Sequence, residues 1–315
     1  MKKSRFSIGI LFFICGLNFA TWATRIPDFK SFLGLSDAQL GTVLMGLPIG
    51  SLVSLPIAGW LLTKYASRWI CIIAVAMYVV VIPSLSLLSS AVALFIGLFF
   101  FGMAGNLFNV SVNTQAAALS KLYDKSITSS FHGFWSLAGF AGGLMGGFFV
   151  ANSISPFQQF VTVAVLGWIF LFFSRAYLLQ DEKSTQSVSK MWNKPSPLLF
   201  QFGLVALSNM ICEGMMFDWS GVYFQKVVKV SEEWRTTGYI CFMACMTTGR
   251  MFADALINYW GPRKQLMLSG LLVTLGLVIA IIYPSIYTST IGFMLVGFGV
   301  SSVIPTIYGS VGKSA

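Results

Sequence analysis

Apolar runs of about twenty residues follow one another along almost the whole chain, and no other feature restricts its fold as strongly. A helix needs about 20 mostly apolar residues to cross the hydrocarbon core of a bilayer. About ten such runs can be marked, at roughly 6–24, 38–62, 69–88, 91–119, 131–151, 157–179, 198–225, 235–257, 265–284 and 288–311. Because 56% of the residues are hydrophobic and only 10% are charged, the composition predicts an all-α membrane protein and excludes a soluble domain.

The distribution of basic residues predicts the orientation of these helices. If the N-terminus lies in the cytoplasm, most Lys and Arg residues fall in or beside cytoplasmic loops, as the positive-inside rule requires. This set includes Lys2, Lys3, Arg5, Lys64, Arg68, Lys121, Lys125, Arg175, Lys190, Arg263 and Lys264. The net charge of +10 therefore has a topological explanation, and we expect no nucleic-acid partner. The first run also resembles a signal peptide, but no small-x-small cleavage site follows it, which favours an uncleaved helix.

The cysteine and histidine residues exclude several kinds of site. The five cysteines lie inside apolar runs without a Cys-x-x-Cys spacing, so we interpret them as packing residues. His132 is the only histidine, and a single histidine cannot build a metal site. We therefore expect neither a metal nor another cofactor. The sequence contains no G-x-x-x-x-G-K-[ST] loop, which argues against an ATP-driven pump.

Two parts of the chain repeat each other at an offset of about 195 residues. The segment TWATRIPDFKSFLGLSDAQLG (21–41) aligns with DWSGVYFQKVVKVSEEWRTTG (218–238), and AGWLLTKYASR (58–68) aligns with FADALINYWGPR (252–263). The repeat predicts an N-terminal six-helix half at 1–180, a cytoplasmic linker at 181–197 and a second half at 198–315. Because the second half holds only four apolar runs, the repeat also predicts that its last two helices are missing from this chain.

The two halves, the central linker and a basic turn after the second helix of each half resemble the major facilitator superfamily. Its glycine, acidic and basic positions in those turns are matched by Gly59, Lys64, Arg68, Gly249, Arg250, Asp254, Gly261, Arg263 and Lys264. Thr63 and Ala66 depart from the pattern, since Asp and Gly are usual there. The strings TWATRIPDFK, NVSVNTQAAAL, SSFHGFWSLAGFAGG and EGMMFDWSGVY are similar to a bacterial inner-membrane subfamily that includes the rhizopine-transport membrane protein and lies near fucose:proton symporters.

The resemblance implies a multi-pass protein of the bacterial inner (cell) membrane with the major facilitator fold. Its implied function is secondary active transport of a small polar solute by alternating access, coupled to protons. The implied partners are that solute, protons and the lipid bilayer, and the chain is expected to act as a monomer and not as an enzyme. A drug or metabolite efflux carrier of the same fold stays open as an alternative, as does a non-transporting receptor or scaffold.

Two acids in the apolar segment MICEGMMFDWSGVYF (210–224) are candidates for proton coupling. Glu213 falls near the middle of the seventh run, where a charge costs roughly 2.5–3.5 kcal/mol on insertion scales. We expect no basic side chain at this depth to hold Glu213 ionised, which favours a proton carrier. The alternative is a permanently protonated Glu213 bonded to a neighbouring helix. Asp218 lies nearer the outer surface, where it is expected to assist coupling, to cap a helix break at Gly221 or to pair with Arg25.

Polar residues on other runs form the predicted substrate site. Asn106, Asn109 and Asn113 stand at i, i+3 and i+7 and therefore share one helix face. Facing a cavity, these amides would bind a hydroxyl-bearing or amide-bearing solute, and the alternative is hydrogen bonding between helices. The predicted site is completed by Asn18, Trp22, Trp135 and Trp219. For Trp22 and Trp219, stacking on a sugar-like ring and anchoring at the membrane interface are equally open.

A third group of residues is predicted to gate the protein. It comprises Arg25, Lys64, Arg68, His132, Arg250 and Asp254. His132 lies at the cytoplasmic mouth of the fifth run, as a proton relay or as a hydrogen bond at the helix start. Arg250 and Asp254 are four residues apart, which suggests a cytoplasmic latch. A stripe of small residues at 46, 50, 54 and 58 predicts close helix contact and sliding between the halves.

Overall fold

The computed structural model describes residues 1–123, 127–180 and 197–307, except for the side chains of residues 128, 129, 198, 254 and 258. Every regular element within these residues is helical. The predicted linker at 181–197, apart from Pro197, lies outside the described residues, as do Lys125 and Lys190.

Eleven α-helical elements, one of them broken, are present in the described part of the chain. They are α1 (Lys2–Ala23), α2 (Ile26–Phe32), α3 (Asp37–Leu44), α4 (Gly46–Lys64), α5 (Ser67–Leu85), α6 (Ala91–Ser120), α7 (Thr128–Ala151), α8 (Pro156–Ser174), α9 (Pro197–Tyr223), α10 (Thr237–Ile282) and α11 (Ile286–Ser301). A π-helical turn at Phe224–Val228 and a 3-10 turn at Glu232–Trp234 connect α9 to α10. The long α10 is broken at Gly261, which has φ 77° and ψ 160° and precedes Pro262, so it comprises two helices.

Nine stretches of helix in the described residues are long and apolar enough to cross a membrane. The first stretch, Lys2–Phe32, continues through α2, which the sequence had placed in a loop. The predicted run at 235–257 is also helical and forms the first part of α10, but it carries Arg250 and Asp254 and is not among the nine. The predicted class, an all-α multi-pass membrane protein, is confirmed.

The chain divides into two compact units. Unit 1 comprises Met1–Phe149 and Ser153–Ser187, and unit 2 comprises Val150–Asn152 and Val188–Ala315. The finer boundaries predicted from the repeat, at 1–180, 181–197 and 198–315, stay predictions.

The small-residue stripe on α4 is packed against α6 in unit 1. Gly46 and Gly50 face the backbone carbonyl groups of Phe95 and Phe99, and a Cβ atom on either glycine would collide with those oxygens. From the other side, Gly102 of α6 meets the backbone of α4 in the same way. Predicted close contact along this stripe is confirmed. The contact joins two helices of one unit, so the prediction of sliding between the halves is wrong for this stripe.

Replacing Gly50 by Ala is expected to destabilise the protein by about 1–3 kcal/mol, because the new methyl group forces α4 away from α6. Gly59 on the same helix provides a matched control, since among the described residues no atom beyond its own turn of α4 lies within 4 Å of a Cβ placed there. Gly59→Ala should therefore leave the unfolding midpoint in detergent unchanged or slightly raised. Equal midpoints for the two variants would show that the α4–α6 contact is not close in the membrane protein.

Unit 2 is held together by contacts of α9, α10 and α11. Gly276 of α10 and Gly292 of α11 face each other's backbone, so the second part of α10 lies directly against α11. The Tyr223 hydroxyl at the end of α9 donates to the Ala280 carbonyl oxygen at 2.5 Å and lies 3.1 Å from the Ser289 hydroxyl. These contacts fix the C-terminal end of α9 against α10 and α11. They thereby also position Glu213, which lies earlier on α9.

Candidate functional site

Glu213 lies near the middle of the membrane-crossing stretch Leu199–Val228. Its side chain is 7% exposed, and its Oε1 atom lies 3.2 Å from Nη2 of Arg250 on α10. The expectation that Glu213 has no basic partner at this depth is therefore wrong. Arg250 was expected to form a cytoplasmic latch, but α10 runs from Thr237 without interruption to Gly261, which places Arg250 about midway along that helix. The side chain of Asp254, the other member of the predicted latch, lies outside the described residues.

The carboxylate of Glu213 is only partly satisfied. Its second oxygen, Oε2, is buried and has no hydrogen-bond partner in the described residues. The same is true of Nδ2 of Asn209, a side chain that is 7% exposed and lies one helical turn earlier. Asn209, Glu213, Met216 and Ser220 are all buried and recur at helical spacing, so they form one face of α9. Sequence reasoning missed Asn209, although its position four residues before Glu213 is the signal that would have found it.

Asp218 and Trp219 follow Glu213 on the same helix and are both half-buried. Five residues turn a regular helix by about 140° beyond a full turn, so Asp218 does not share the face of Glu213. The predicted helix break at Gly221 is absent, because α9 continues to Tyr223 and changes to a π-helical turn only at Phe224. A helix-capping role for Asp218 is therefore wrong, whereas its predicted role in coupling stays a prediction.

The three asparagines of α6 have different surroundings. Asn106 donates from Nδ2 to the Ser54 hydroxyl of α4 at 2.7 Å, so it bonds a neighbouring helix within unit 1. Asn113 donates to both oxygens of Asn109, each at 2.8 Å, and Asn109 is exposed. The stripe is thus a real polar face, but its first member is already bonded. Gln115 is not part of this face. Its Nε2 atom donates to the Ser67 hydroxyl and to the Leu179 carbonyl oxygen, and its Oε1 atom accepts from the Leu179 backbone N–H.

The predicted substrate residues of α1 are fully buried within unit 1. Asn18 donates from Nδ2 to the Ile14 carbonyl oxygen at 2.9 Å, and its Oδ1 atom has no partner in the described residues. Trp22 is 1% exposed, its Nε1 atom is likewise unsatisfied, and its ring packs on Phe29 with centroids 5.1 Å apart. An anchor at the lipid interface does not fit so buried a ring. Trp135 is half-buried on α7, with its ring 6.3 Å from that of Phe19.

Arg25 connects three parts of unit 1. This side chain is buried and donates from Nε to Oε1 of Gln159 at 2.5 Å and from Nη2 to the Ile154 carbonyl oxygen at 2.7 Å. Its Nη1 atom lies 3.6 Å from Asp28. The Arg25 guanidinium thus joins the end of α1 to the turn before α8 and to α8 itself. Its predicted pairing with Asp218 stays a prediction.

The remaining gate candidates lie at exposed or half-buried positions. Lys64 is exposed and lies over the ring of Trp60, 4.2 Å from its centroid. Arg68 donates from Nη2 to the Arg175 carbonyl oxygen at 3.1 Å. His132 is exposed and meets the ring of Phe12 edge-on, with centroids 5.4 Å apart. These contacts show what surrounds the three side chains. Their predicted role in gating stays a prediction.

Residues 8–315 match the sequence model of the Major Facilitator Superfamily, which is nearly the whole chain. The chain belongs to the Major Facilitator Superfamily. This confirms the family indicated by the basic turns and the repeat. As a member of this superfamily of transporters, the chain is similar to an uncharacterised MFS-type transporter of Yersinia pestis, with 31% identity over 307 residues, or 98% of this chain and 80% of that protein. The membrane protein MosC of Rhizobium meliloti is 28% identical over 96% of this chain and 74% of its own length.

Solved structures of the same superfamily share this fold. The nucleoside transporter NupG aligns with a TM-score of 0.71 at 16% identity, over 98% of this chain and 82% of that one. A D-xylose-proton symporter aligns with a TM-score of 0.71 at 13% identity, again over 98% and 82%. At such low identity the likeness establishes the MFS fold alone.

Proposed function

We propose that this MFS chain is a secondary active transporter that moves a small polar solute across the bacterial inner membrane by alternating access, coupled to protons. In this proposal Glu213 carries the proton, and the N-terminus lies in the cytoplasm because the basic loops favour that orientation. The single observation that carries the proposal is the partly satisfied ion pair between Glu213 and Arg250 near the middle of their helices.

The geometry of this ion pair suits a contact that breaks on protonation better than a permanent structural contact. A bidentate Arg–carboxylate pair would hold both oxygens, whereas this contact joins Arg250 Nη2 to one oxygen at 3.2 Å, and Oε2 has no partner in the part of the chain that the structure describes. Protonation of Glu213 removes the charge that attracts Arg250, so the attraction between α9 and α10 weakens when a proton binds. Proton binding thereby changes the contact between two helices of unit 2, which is what coupling requires.

Several observations support a polar and not a lipid-like solute. The pair of exposed Asn109 and half-buried Asn113 on α6 presents amide donors and acceptors, and Asn18 and Trp22 on α1 carry polar atoms without a partner in the described residues. Two structural neighbours are named for a nucleoside and for D-xylose, both small polar molecules. We assign substrate contact to Asn109, Asn113, Asn18, Trp22, Trp135 and Trp219, and to Asn106 only after its bond to Ser54 opens.

Transport in proteoliposomes tests the proposal. The protein is reconstituted and screened for exchange of radiolabelled sugars, polyols, nucleosides and amino acids, first without a gradient and then with an imposed pH gradient. We expect one class to exchange without a gradient and to be driven by the pH gradient. An efflux carrier of the same fold would be recognised by the direction of movement. Absence of exchange for every class would instead support a receptor or scaffold.

Cysteine labelling tests the polar face of α6. In a variant whose five native cysteines are replaced, Asn109→Cys is expected to react with a water-soluble maleimide, because this position is exposed, and Asn113→Cys should react more slowly. Val112→Cys is the matched control, because Val112 is fully buried on the same helix and should stay unlabelled. Labelling of Val112→Cys but not of Asn109→Cys would reverse the assigned face of α6.

A further inference from the structure

Two unsatisfied hydrogen-bonding atoms stand on one face of α9. Oε2 of Glu213 accepts no bond and Nδ2 of Asn209 donates none within the described residues, although both side chains are more than nine-tenths buried. Residues four apart on a helix are neighbours, with Cβ atoms about 5–6 Å apart, so the ends of these side chains can reach one small group. Buried polar atoms are nearly always bonded in proteins, so an unsatisfied acceptor and an unsatisfied donor one helical turn apart call for a partner that can bond both.

We propose that Asn209 and Glu213 together bind a hydroxyl group of an uncharged solute. A hydroxyl oxygen can donate its hydrogen to Glu213 Oε2 and accept the Asn209 Nδ2 hydrogen at the same atom. A solute carboxylate would accept from Asn209 but would be repelled by the ionised Glu213. A solute ammonium would donate to Glu213 but would offer Asn209 nothing and would approach the charge of Arg250. An uncharged hydroxyl satisfies both atoms through a single oxygen and without a second charge, whereas an uncharged carboxamide would need its nitrogen and its oxygen to reach the two atoms separately.

The two oxygens of Glu213 then have separate tasks. Oε1 faces Arg250 at 3.2 Å, and Oε2 is left for the solute. Asn209 acts as a specificity-determining residue because its amide requires an acceptor on the same group that donates to Glu213. This inference rests on the proposed function in one respect, since it names hydroxylated solutes as the transported class. Its test measures binding and not transport, so each of the two can fail without the other.

The test is calorimetric titration of the purified full chain in detergent. The probes are a set of uncharged pentoses, hexoses and polyols including D-xylose and mannitol, together with acetamide, succinate and tetramethylammonium. We expect a hydroxylated probe to bind most tightly and Asn209→Leu, an apolar change of similar shape, to weaken its binding at least about tenfold. The matched control is Ser208→Ala, because the Ser208 side chain is exposed and its hydroxyl bonds only back to Leu204 of α9. This control should leave the dissociation constant unchanged.

A further variant separates a lost bond from a damaged fold. Asn209→Ser restores a hydrogen-bond donor on a shorter side chain and should bind the hydroxylated probe more tightly than Asn209→Leu, with all variants checked for an unchanged unfolding midpoint. The inference is overturned if acetamide, succinate or tetramethylammonium binds most tightly, or if Asn209→Leu binds the hydroxylated probe like the wild type. It is equally overturned if no hydroxylated probe binds, since the two atoms then bond only water.

Discussion

Replacing Arg250 by Met is expected to abolish proton-driven accumulation of solute and to destabilise the protein by about 3–5 kcal/mol. The stability loss arises because the Glu213 side chain, which is 7% exposed, loses its described counter-charge and must either bear an uncompensated charge or take up a proton to avoid it. The loss of accumulation arises because Glu213 can then lower its energy only by keeping a proton, and a carrier that never releases its proton cannot couple to a gradient. Unfolding in detergent and uptake into proteoliposomes measure the two effects.

A double variant distinguishes the ion pair from the individual side chains. Glu213→Leu combined with Arg250→Met removes both charges and should be more stable than either single variant, because apolar residues of similar volume often replace a buried ion pair without loss. Lys64→Met is the matched control for the unfolding measurement alone, since Lys64 is exposed and contacts only the Trp60 ring among its described interactions, a contact of about 0.5–1 kcal/mol. Additive losses in the double variant would show that Glu213 and Arg250 do not form a pair in the membrane.

The helices were predictable from the sequence because the bilayer itself imposes their length. Every apolar run marked in the sequence corresponds to helix in the described residues, and the basic turn at Gly261 coincides with the break in α10. Close packing of the small residues on α4 was also predictable, since a row of small side chains lets two helix backbones approach closely. Which helix packs against these small residues could not be predicted, because their spacing in the sequence carries no information about the neighbouring helix. The partner proved to be α6.

The candidate site was predictable only in part. Glu213 could be identified because an acidic side chain within an apolar run is costly in lipid and therefore indicates a functional role. Its pairing with Arg250 could not be predicted, because it depends on how α9 and α10 are aligned along each other. That alignment follows from the unbroken course of α10 up to Gly261 and from tertiary packing, neither of which is visible in a local sequence pattern. Asn209 was missed because a single asparagine in a helix has many ordinary explanations until its buried Nδ2 is seen without a partner. For Asn106, the bond to Ser54 likewise required the structure.

Replacing Glu213 by Gln is expected to reduce proton-driven accumulation to the level of simple equilibration while exchange of solute continues. Glutamine preserves the shape of the side chain and keeps an oxygen that accepts a hydrogen bond from Arg250, but it cannot bind and release a proton. Alternating access without a proton carrier still exchanges solute for solute, since exchange requires no net proton movement. Asp218→Asn provides the comparison, because Asp218 lies on a different face of α9 and should impair accumulation less.

The most direct test of Glu213 as the proton carrier is a paired assay of Glu213→Gln in the same proteoliposomes. Uptake driven by an imposed pH gradient and counterflow without a gradient are measured with the best solute from the transport screen. We expect counterflow to persist, at a solute concentration raised to offset weaker binding of the solute hydroxyl, and the pH gradient to produce no accumulation above the external concentration. Accumulation against a concentration gradient by Glu213→Gln would contradict the assignment of Glu213 as the proton carrier.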